Sequence, residues 1–160
     1  MEENEQTLII LKPDCLIGGF VGEVIRRFER RGLKIIAMKM MRLEDSLLDE
    51  HYAHLKNKPF FSSIKKFMKS APVIVAVLEG KECVRVVREM CGPTNPRNAA
   101  PGTIRGDFSL SIQCNIIHAS DSPKTAETEI KKFFRKDELH NYLTAREIGL
   151  ADYLQEESKK

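Results

Sequence analysis

The polar residues with the most evident chemistry lie between positions 105 and 129. His118 follows two isoleucines and precedes Ser122-Pro123, a pair that is typical of a helix start. A histidine at a strand end, just ahead of a helix, lies beside unpaired backbone N–H groups and the positive end of the helix dipole. The sequence therefore predicts an anion site around His118.

Glu129 is the residue best spaced to act on that histidine. It lies seven positions after Ser122, two helical turns along and on about the same face. From there its carboxylate could hold one ring nitrogen of His118, fix the tautomer and leave the other nitrogen free to attack. A lone histidine after two isoleucines is more often a buried core residue, and on spacing alone that alternative stays open.

Three cationic side chains could bring positive charge to the same place. Arg105 lies between Gly102 and Gly106, where the backbone can approach a ligand and a guanidinium can bind two phosphate oxygens. Arg88 lies on a helix away from its apolar stripe, and Lys12 ends a strand; each alone is typical of a solvent-exposed residue. Convergence of all three on His118 would indicate a phosphate site.

The elements that must position these residues follow from the apolar pattern. Apolar and β-branched runs predict strands, and i, i+3, i+4 spacing predicts amphipathic helices. The predicted strands are residues 7–11, 34–41, 73–78 and 116–117, and the predicted helices are residues 21–31, 46–55, 60–68, 83–91 and one that begins at 123. Prolines and glycines make 92–114 a long loop.

With the helix pair 46–68 set aside, this order reads βαββαβ, the arrangement of the ferredoxin-like fold. We expect one α/β domain over residues 1–160, with a four-stranded antiparallel sheet and the helix pair as an insertion. The segment 139–160 is predicted to be helix-capable and peripheral, with a frayed end over residues 156–160.

Composition limits the class of protein. Apolar residues make up 42% and charged residues 31%, as in an ordinary globular protein, and a net charge of +3 is weak support for nucleic-acid binding. The longest apolar run, residues 73–78, is too short to cross a bilayer, and no segment resembles a signal peptide. The cysteines have no metal-binding spacing, so we expect reduced thiols in the cytoplasm; they are Cys15, Cys83, Cys91 and Cys114.

Residues 115–122 read Asn-Ile-Ile-His-Ala-Ser-Asp-Ser, which resembles the NxxH(G/A)SDS signature of nucleoside diphosphate kinases. Further blocks are similar to those of the family, in the same order and at the same spacing; they begin at Leu11, Val21, Lys58, Gly92 and Pro101. The resemblance covers roughly residues 6–139. With this resemblance, the alternative that His118 is only a buried core residue is poorly supported.

The resemblance implies that the γ-phosphoryl group of a nucleoside triphosphate passes to a diphosphate through a phosphohistidine on His118. It makes Nδ1 of His118 the nucleophile, Glu129 the residue that orients it, and Ser120 a hydrogen-bond partner of that carboxylate. Tyr52 matches the phenol near the phosphorylated ring.

The resemblance also implies the substrate-binding residues. They match the family's phosphate and ribose ligands and the two side chains on either face of the base: Lys12, Arg88, Thr94, Arg105, Asn115, Phe60 and Ile112. Because Mg²⁺ should arrive on the nucleotide phosphates, we expect no direct protein ligand and at most a water-mediated contact with Asp121.

The sequence departs from the family pattern in three places. Gly18 stands where many members have arginine, Gln113-Cys114 replaces Gly-Arg, and the segment after Leu139 lacks tryptophan. These changes bear on assembly, for which the resemblance implies dimers joined into a homo-oligomer, with a hexamer favoured over a tetramer.

A catalytically silent nucleotide-binding relative is an alternative function, although none of the key residues is missing. Nucleic acid is not expected as the main partner.

Overall fold

A computed structural model describes residues 4–149 and contains a four-stranded antiparallel sheet in the order β2-β3-β1-β4. The strands are β1 (Glu5–Leu11), β2 (Lys34–Met41), β3 (Val73–Gly80) and β4 (Ile117–Ala119). The central strand β1 pairs with β3 from Glu5↔Gly80 to Leu11↔Ile74 and with β4 from Ile9↔Ala119 to Leu11↔Ile117. The predicted ferredoxin-like fold is confirmed.

Helices cover both faces of the sheet. They are α1 (Pro13–Ile17), α2 (Val21–Arg31), α3 (Asp45–His51), α4 (Phe61–Met68), α5 (Cys83–Cys91), α6 (Ile104–Phe108) and α7 (Pro123–Phe133). Short 3₁₀ turns occur at Ala53–Leu55, Pro96–Asn98 and Lys136–Glu138, and residues 145–149 are helical. No described helix is long and apolar enough to cross a membrane.

The side chains of β1 alternate between two apolar cores. Ile9 and Leu11 pack with α2 and α5 on one face, and Leu8 and Ile10 pack with α3 and α7 on the other. Because both faces are covered, this strand is apolar at consecutive positions, and the sheet forms a rigid base for the residues at its end.

Between residues 92 and 119 the structure differs from the sequence prediction in two places. Residues 92–114 are not a continuous loop, because they contain a 3₁₀ turn and α6, where the Thr103 side chain caps the helix by accepting a hydrogen bond from Gly106 N. The fourth strand is residues 117–119 and not 116–117, because Ile116 has a φ of +72°, which is incompatible with a strand.

The segment after α7 lies along the outer edge of β2. His140 N donates to Ile36 O at 2.8 Å, the Tyr142 hydroxyl donates to Ile35 O at 2.7 Å, and Lys34 Nζ donates to Tyr142 O at 3.0 Å. The prediction of a helix-capable tail was therefore wrong for residues 139–144. The predicted frayed end lies outside the described residues.

Candidate active site

The sheet geometry places His118 on the face covered by α7. In β4 the neighbouring residues Ile117 and Ala119 lie in the core with α2 and α5, so His118 points to the opposite face. Helix α7 begins five residues after His118, and the Ser122 hydroxyl caps it by accepting from Thr125 N at 3.1 Å. The strand and the capped helix together bring His118 and Glu129 to the same place.

Glu129 holds one nitrogen of the His118 ring. Nε2 of His118 lies 3.1 Å from Oε1 and 3.0 Å from Oε2 of Glu129, and the Ser120 hydroxyl donates to Oε2 at 2.6 Å. Burial pushes the pKa of Glu129 upward, but the hydrogen bonds and charge of His118, with Ser120 and His51, hold it below its ordinary value. The carboxylate is therefore charged, and Nδ1 is the ring nitrogen that it does not hold.

The sequence analysis missed His51. Its ring packs edge-on against His118 and against Tyr52, with 4.7 Å between ring centroids in each case. Its Nδ1 is buried without a hydrogen-bond partner in residues 4–149 and lies 3.8 Å from Glu129 Oε1. Burial first, then the neighbouring His118, lowers the pKa of His51 to about 3, so this ring stays neutral.

Tyr52 lines the same cavity as His118 and packs against the ring of His51. Tyr52 is buried at the end of α3, and burial, with the charge of Glu129, raises the pKa of its phenol to about 12. No motif around position 51 pointed to this contact, because it depends on how α3 packs against β4.

Lys12 and Asn115 form the second polar pair. Lys12 Nζ donates to Asn115 Oδ1 at 2.6 Å, and Asn115 Nδ2 donates to Thr94 O at 3.0 Å. Burial, and then the positive charge of Arg105, lowers the pKa of Lys12 to about 8. These residues come from three distant segments of the sequence and meet at the carboxyl end of β1.

Arg105 is buried and not a free surface cation. Its guanidinium donates to three backbone carbonyls: Nε to Asn115 O at 3.2 Å, Nη1 to Gly92 O at 2.7 Å and Nη2 to Ile117 O at 2.6 Å. Burial, and then the charge of Arg88, lowers its pKa. Arg105 therefore fixes the backbone on both sides of the site. Its interpretation as a phosphate ligand does not include this role. Arg88 is exposed.

A cavity of about 1080 Å³ joins these groups. Nearly all the predicted site residues line it: Lys12, Tyr52, Phe60, Arg88, Thr94, Arg105, Ile112, Asn115, His118, Asp121 and Glu129. Ser120 lies behind Glu129 and is fully buried. Phe60 and Ile112 are half-exposed apolar side chains at the cavity wall.

Gln113 connects the two segments that carry these apolar side chains. Its Nε2 donates to the hydroxyl of Ser63 at 3.0 Å and to Ser63 O at 3.3 Å. Ser63 lies on α4, which begins directly after Phe60, whereas Gln113 follows Ile112. This departure from the family pattern therefore ties the loop to the helix across the cavity.

Within residues 4–149, one group of three side chains could bind a metal ion directly: His51, His118 and Glu129. Two nitrogens and a carboxylate do not suit Mg²⁺, which prefers oxygen ligands. Asp121 offers an oxygen ligand at the cavity wall.

The combination of a carboxylate-held histidine, nearby cations and a nucleotide-sized cavity is typical of a phosphotransferase. Comparisons with known proteins agree. The family model described as nucleoside diphosphate kinase matches residues 5–139. The nucleoside diphosphate kinase of Parabacteroides distasonis is 57% identical over 138 residues, which are 86% of this chain and 90% of the relative. That of Pyrococcus abyssi is 51% identical over 91% of this chain and 93% of the relative.

Solved structures agree as well. The structure of a halophilic nucleoside diphosphate kinase from Halobacterium salinarum in complex with CDP is 40% identical with a TM-score of 0.87, and the match covers 89% of this chain and 95% of that one. A transition-state mimic of the Borrelia burgdorferi kinase with bound vanadate and ADP is 39% identical with a TM-score of 0.84, over 90% and 95% of the two chains. This chain belongs to the nucleoside diphosphate kinase family. It transfers the γ-phosphoryl group of a nucleoside triphosphate to a nucleoside diphosphate.

Proposed function

We propose that Nδ1 of His118 carries the phosphoryl group between the two nucleotides. The observation that supports this assignment is the pairing of Nε2 with Glu129 at 3.0 Å, behind which Ser120 holds the carboxylate at 2.6 Å. With the ring proton on Nε2 and donated to Glu129, the lone pair lies on Nδ1. The transfer then takes place in two half-reactions.

In the first half-reaction the Nδ1 lone pair attacks the γ-phosphorus of the triphosphate. A nitrogen–phosphorus bond forms, the bond from phosphorus to the β–γ bridging oxygen breaks, and the diphosphate leaves with that electron pair. The positive charge that develops on the ring is stabilised by Glu129. In the second half-reaction a terminal oxygen of another diphosphate attacks the same phosphorus and forms a new oxygen–phosphorus bond. The nitrogen–phosphorus bond breaks, its electron pair returns to Nδ1, and the ring returns to its neutral form.

Cationic groups stabilise the negative charge that spreads over the phosphoryl oxygens during the transfer. Lys12 and Arg88 lie at the cavity wall as cations with donors for a nucleotide, and Arg105 keeps part of its guanidinium available beyond its three backbone contacts. Thr94 completes the phosphate side, and Asn115 with Lys12 binds the ribose hydroxyls.

The base is proposed to lie between Phe60 and Ile112. Both are partly exposed at the cavity wall, and Gln113 joins the segments that carry them. Stacking on a ring requires a π-face and no particular hydrogen-bond pattern, so discrimination among bases should be weak. The relative from Halobacterium salinarum that binds CDP is consistent with a pyrimidine in this position.

Mg²⁺ is proposed to enter with the nucleotide. The β- and γ-phosphates supply its ligands, with Asp121 in contact through water, and the ion neutralises phosphate charge when it is bound. The residues of this chain hold and orient the phosphates around it.

We also infer a homo-oligomer, preferably a hexamer built from dimers, and a cytoplasmic location. All four cysteines are free thiols, which fits a reducing compartment. The exposed side chains of Met38 and Met40 on the edge strand β2 support a dimer interface there, next to α2.

Trapping of the phosphoenzyme tests the role of His118. We expect the wild type to retain ³²P from γ-labelled ATP and to release it to ADP, GDP, CDP and UDP at similar rates. His118→Ala should retain no label while it binds ATP nearly as well, and His140→Ala, which removes an exposed imidazole, should behave as the wild type. Labelling of His118→Ala at the wild-type level would refute the assignment.

Glu129→Gln tests the orienting role. The amide cannot balance a charged ring, so we expect the rate constant for phosphoenzyme formation to fall roughly 10- to 100-fold, the order found when a group that supports a reactive ring is lost. The dissociation constant for ATP should hardly change. Loss of ATP binding with an unchanged chemical step would make Glu129 a binding or folding residue.

A further inference from the structure

We propose that Asp14 is a positioning residue for the reaction, because it holds a strained turn at Ile116 that joins Asn115 to His118. This inference rests on the proposed role of His118. Asn115 and His118, on either side of the turn, are predicted site residues, but Asp14 is not. Asp14 follows Lys12-Pro13 in one of the blocks that resemble the family.

The strain lies in the backbone of Ile116. Its φ is +72°, a conformation that β-branched residues rarely adopt. Ile117 N donates to Asn115 O at 2.8 Å across it, which makes residues 115–117 a γ-turn of the unfavourable, positive-φ kind. Such a conformation persists only where the surrounding structure holds it.

Both backbone polar groups of Ile116 are held by one segment. Ile116 N donates to Oδ2 of Asp14 at 2.9 Å, and Lys12 N donates to Ile116 O at 2.9 Å. Oδ1 of Asp14 is buried and has no hydrogen-bond partner in the described part of the chain. An unpaired buried carboxylate oxygen is unfavourable for stability alone, so its retention points to a functional use of the other oxygen.

The turn sets the relative position of two functional side chains. On one side, the Asn115 amide meets Lys12 Nζ at 2.6 Å and Thr94 O at 3.0 Å. On the other side, the chain enters β4, and His118, two residues after Ile116, reaches Glu129. If Ile116 relaxed to a negative φ, the chain would leave Asn115 in a different direction. The ribose ligand and the nucleophile would then no longer meet the same nucleotide.

Substitutions at Asp14 and Ile116 separate positioning from stability. In Asp14→Ala the acceptor is lost, so we expect the single-turnover rate constant for His118 phosphorylation at saturating ATP to fall roughly 10- to 100-fold, as small misplacements of reacting groups do. Asp14→Asn keeps an acceptor oxygen and should stay close to the wild type. Glycine adopts positive φ freely, so Ile116→Gly in the Asp14→Ala background should restore most of the rate while it lowers Tm.

Glu5→Ala is the matched control, because Glu5 Oε2 accepts from a backbone N–H, that of Val84 at 3.2 Å, at the opposite end of β1 from Asp14. It should lower Tm without slowing phosphorylation. Rates are expressed per folded molecule, measured by circular dichroism. A wild-type rate in Asp14→Ala, or no recovery in the double variant, would overturn the proposal. Failure of the wild type to form a phosphoenzyme would instead count against the proposed function.

Discussion

The Glu129 carboxylate lies beside three side chains, and its charge depends on them. It accepts from the His118 ring and from the Ser120 hydroxyl, and His51 lies 3.8 Å away without a hydrogen bond. Because burial alone favours the protonated carboxyl, these neighbours are what keep it ionised.

The lowered pKa of His51 predicts acid sensitivity of the fold. Between the ordinary value of 6.5 and about 3, the unfolded chain binds a proton at His51 that the folded chain does not. The free energy of unfolding should therefore fall as pH decreases through this window, by up to about 1.4 kcal/mol per pH unit from this residue. In His51→Phe that part of the slope should disappear, as measured by urea unfolding from pH 7 to pH 4.

His54→Gln is the control for this measurement, because it removes an exposed imidazole. Equal slopes in the wild type and in His51→Phe would show that His51 does not remain neutral in the folded state.

Single residues differ in how far the sequence reveals them. His118 and Glu129 could be predicted because short-range spacing on a strand and a helix brings them together, and Ser120 was implied by the resemblance to the family. His51 could not, since only the packing of α3 against β4 places its ring on His118. The backbone contacts of Arg105 were equally hidden, because Gly92 and Ile117 become its neighbours only in the folded chain.

Among the elements, α7 has the most direct effect on the site, because it carries Glu129. Its first turn depends on Ser122, whose hydroxyl accepts from Thr125 N at 3.1 Å. Removal of such a cap costs about 1 kcal/mol. We expect Ser122→Ala to lower the free energy of unfolding by about this amount. Ser62→Ala, at an exposed serine on α4, should change it by less than about 0.5 kcal/mol, and equal losses in urea unfolding would exclude a capping role.

The longer amphipathic helices α2, α5 and α7 were predictable because each has a clear apolar stripe and a glycine or proline at an end. The two short helices α1 and α6 were not, since five residues give too little periodicity and both adjoin prolines or glycines. Their formation depends on caps and on contacts with the finished sheet.

For the molecule as a whole, assembly is the property that the sequence leaves most open. Gly18 and Cys114 replace two arginines that could have made charge-assisted contacts, each worth on the order of 1.5–3 kcal/mol if buried. A Cβ atom at position 18 would lie too close to the ring of Phe20 and to Asp14 O, so the local packing favours glycine at this position. Cys114 is exposed.

We still expect a hexamer, built from dimers that use the β2 edge and α2. Light scattering after size-exclusion chromatography at micromolar concentration should give the mass of six chains. A mass of four chains would contradict this prediction, and a mass of two would support only the dimer.

Gly18→Arg is not expected to strengthen the assembly, because the arginine would have to displace Phe20.

The central position of β1 has a consequence for how the chain is made. β1 is synthesised before the other three strands of its sheet, yet it lies between β3 and β4, and Ile9 pairs with Ala119. At about 5–20 residues per second, a ribosome needs roughly 5 to 20 s to reach that partner. During this interval the edge of β1 that pairs with β4 stays open along a run of four consecutive apolar residues, Leu8 to Leu11, even after β3 has been synthesised. The nascent chain therefore carries an aggregation-prone segment until β4 emerges, and the nucleotide site is completed only after α7, which carries Glu129, has followed.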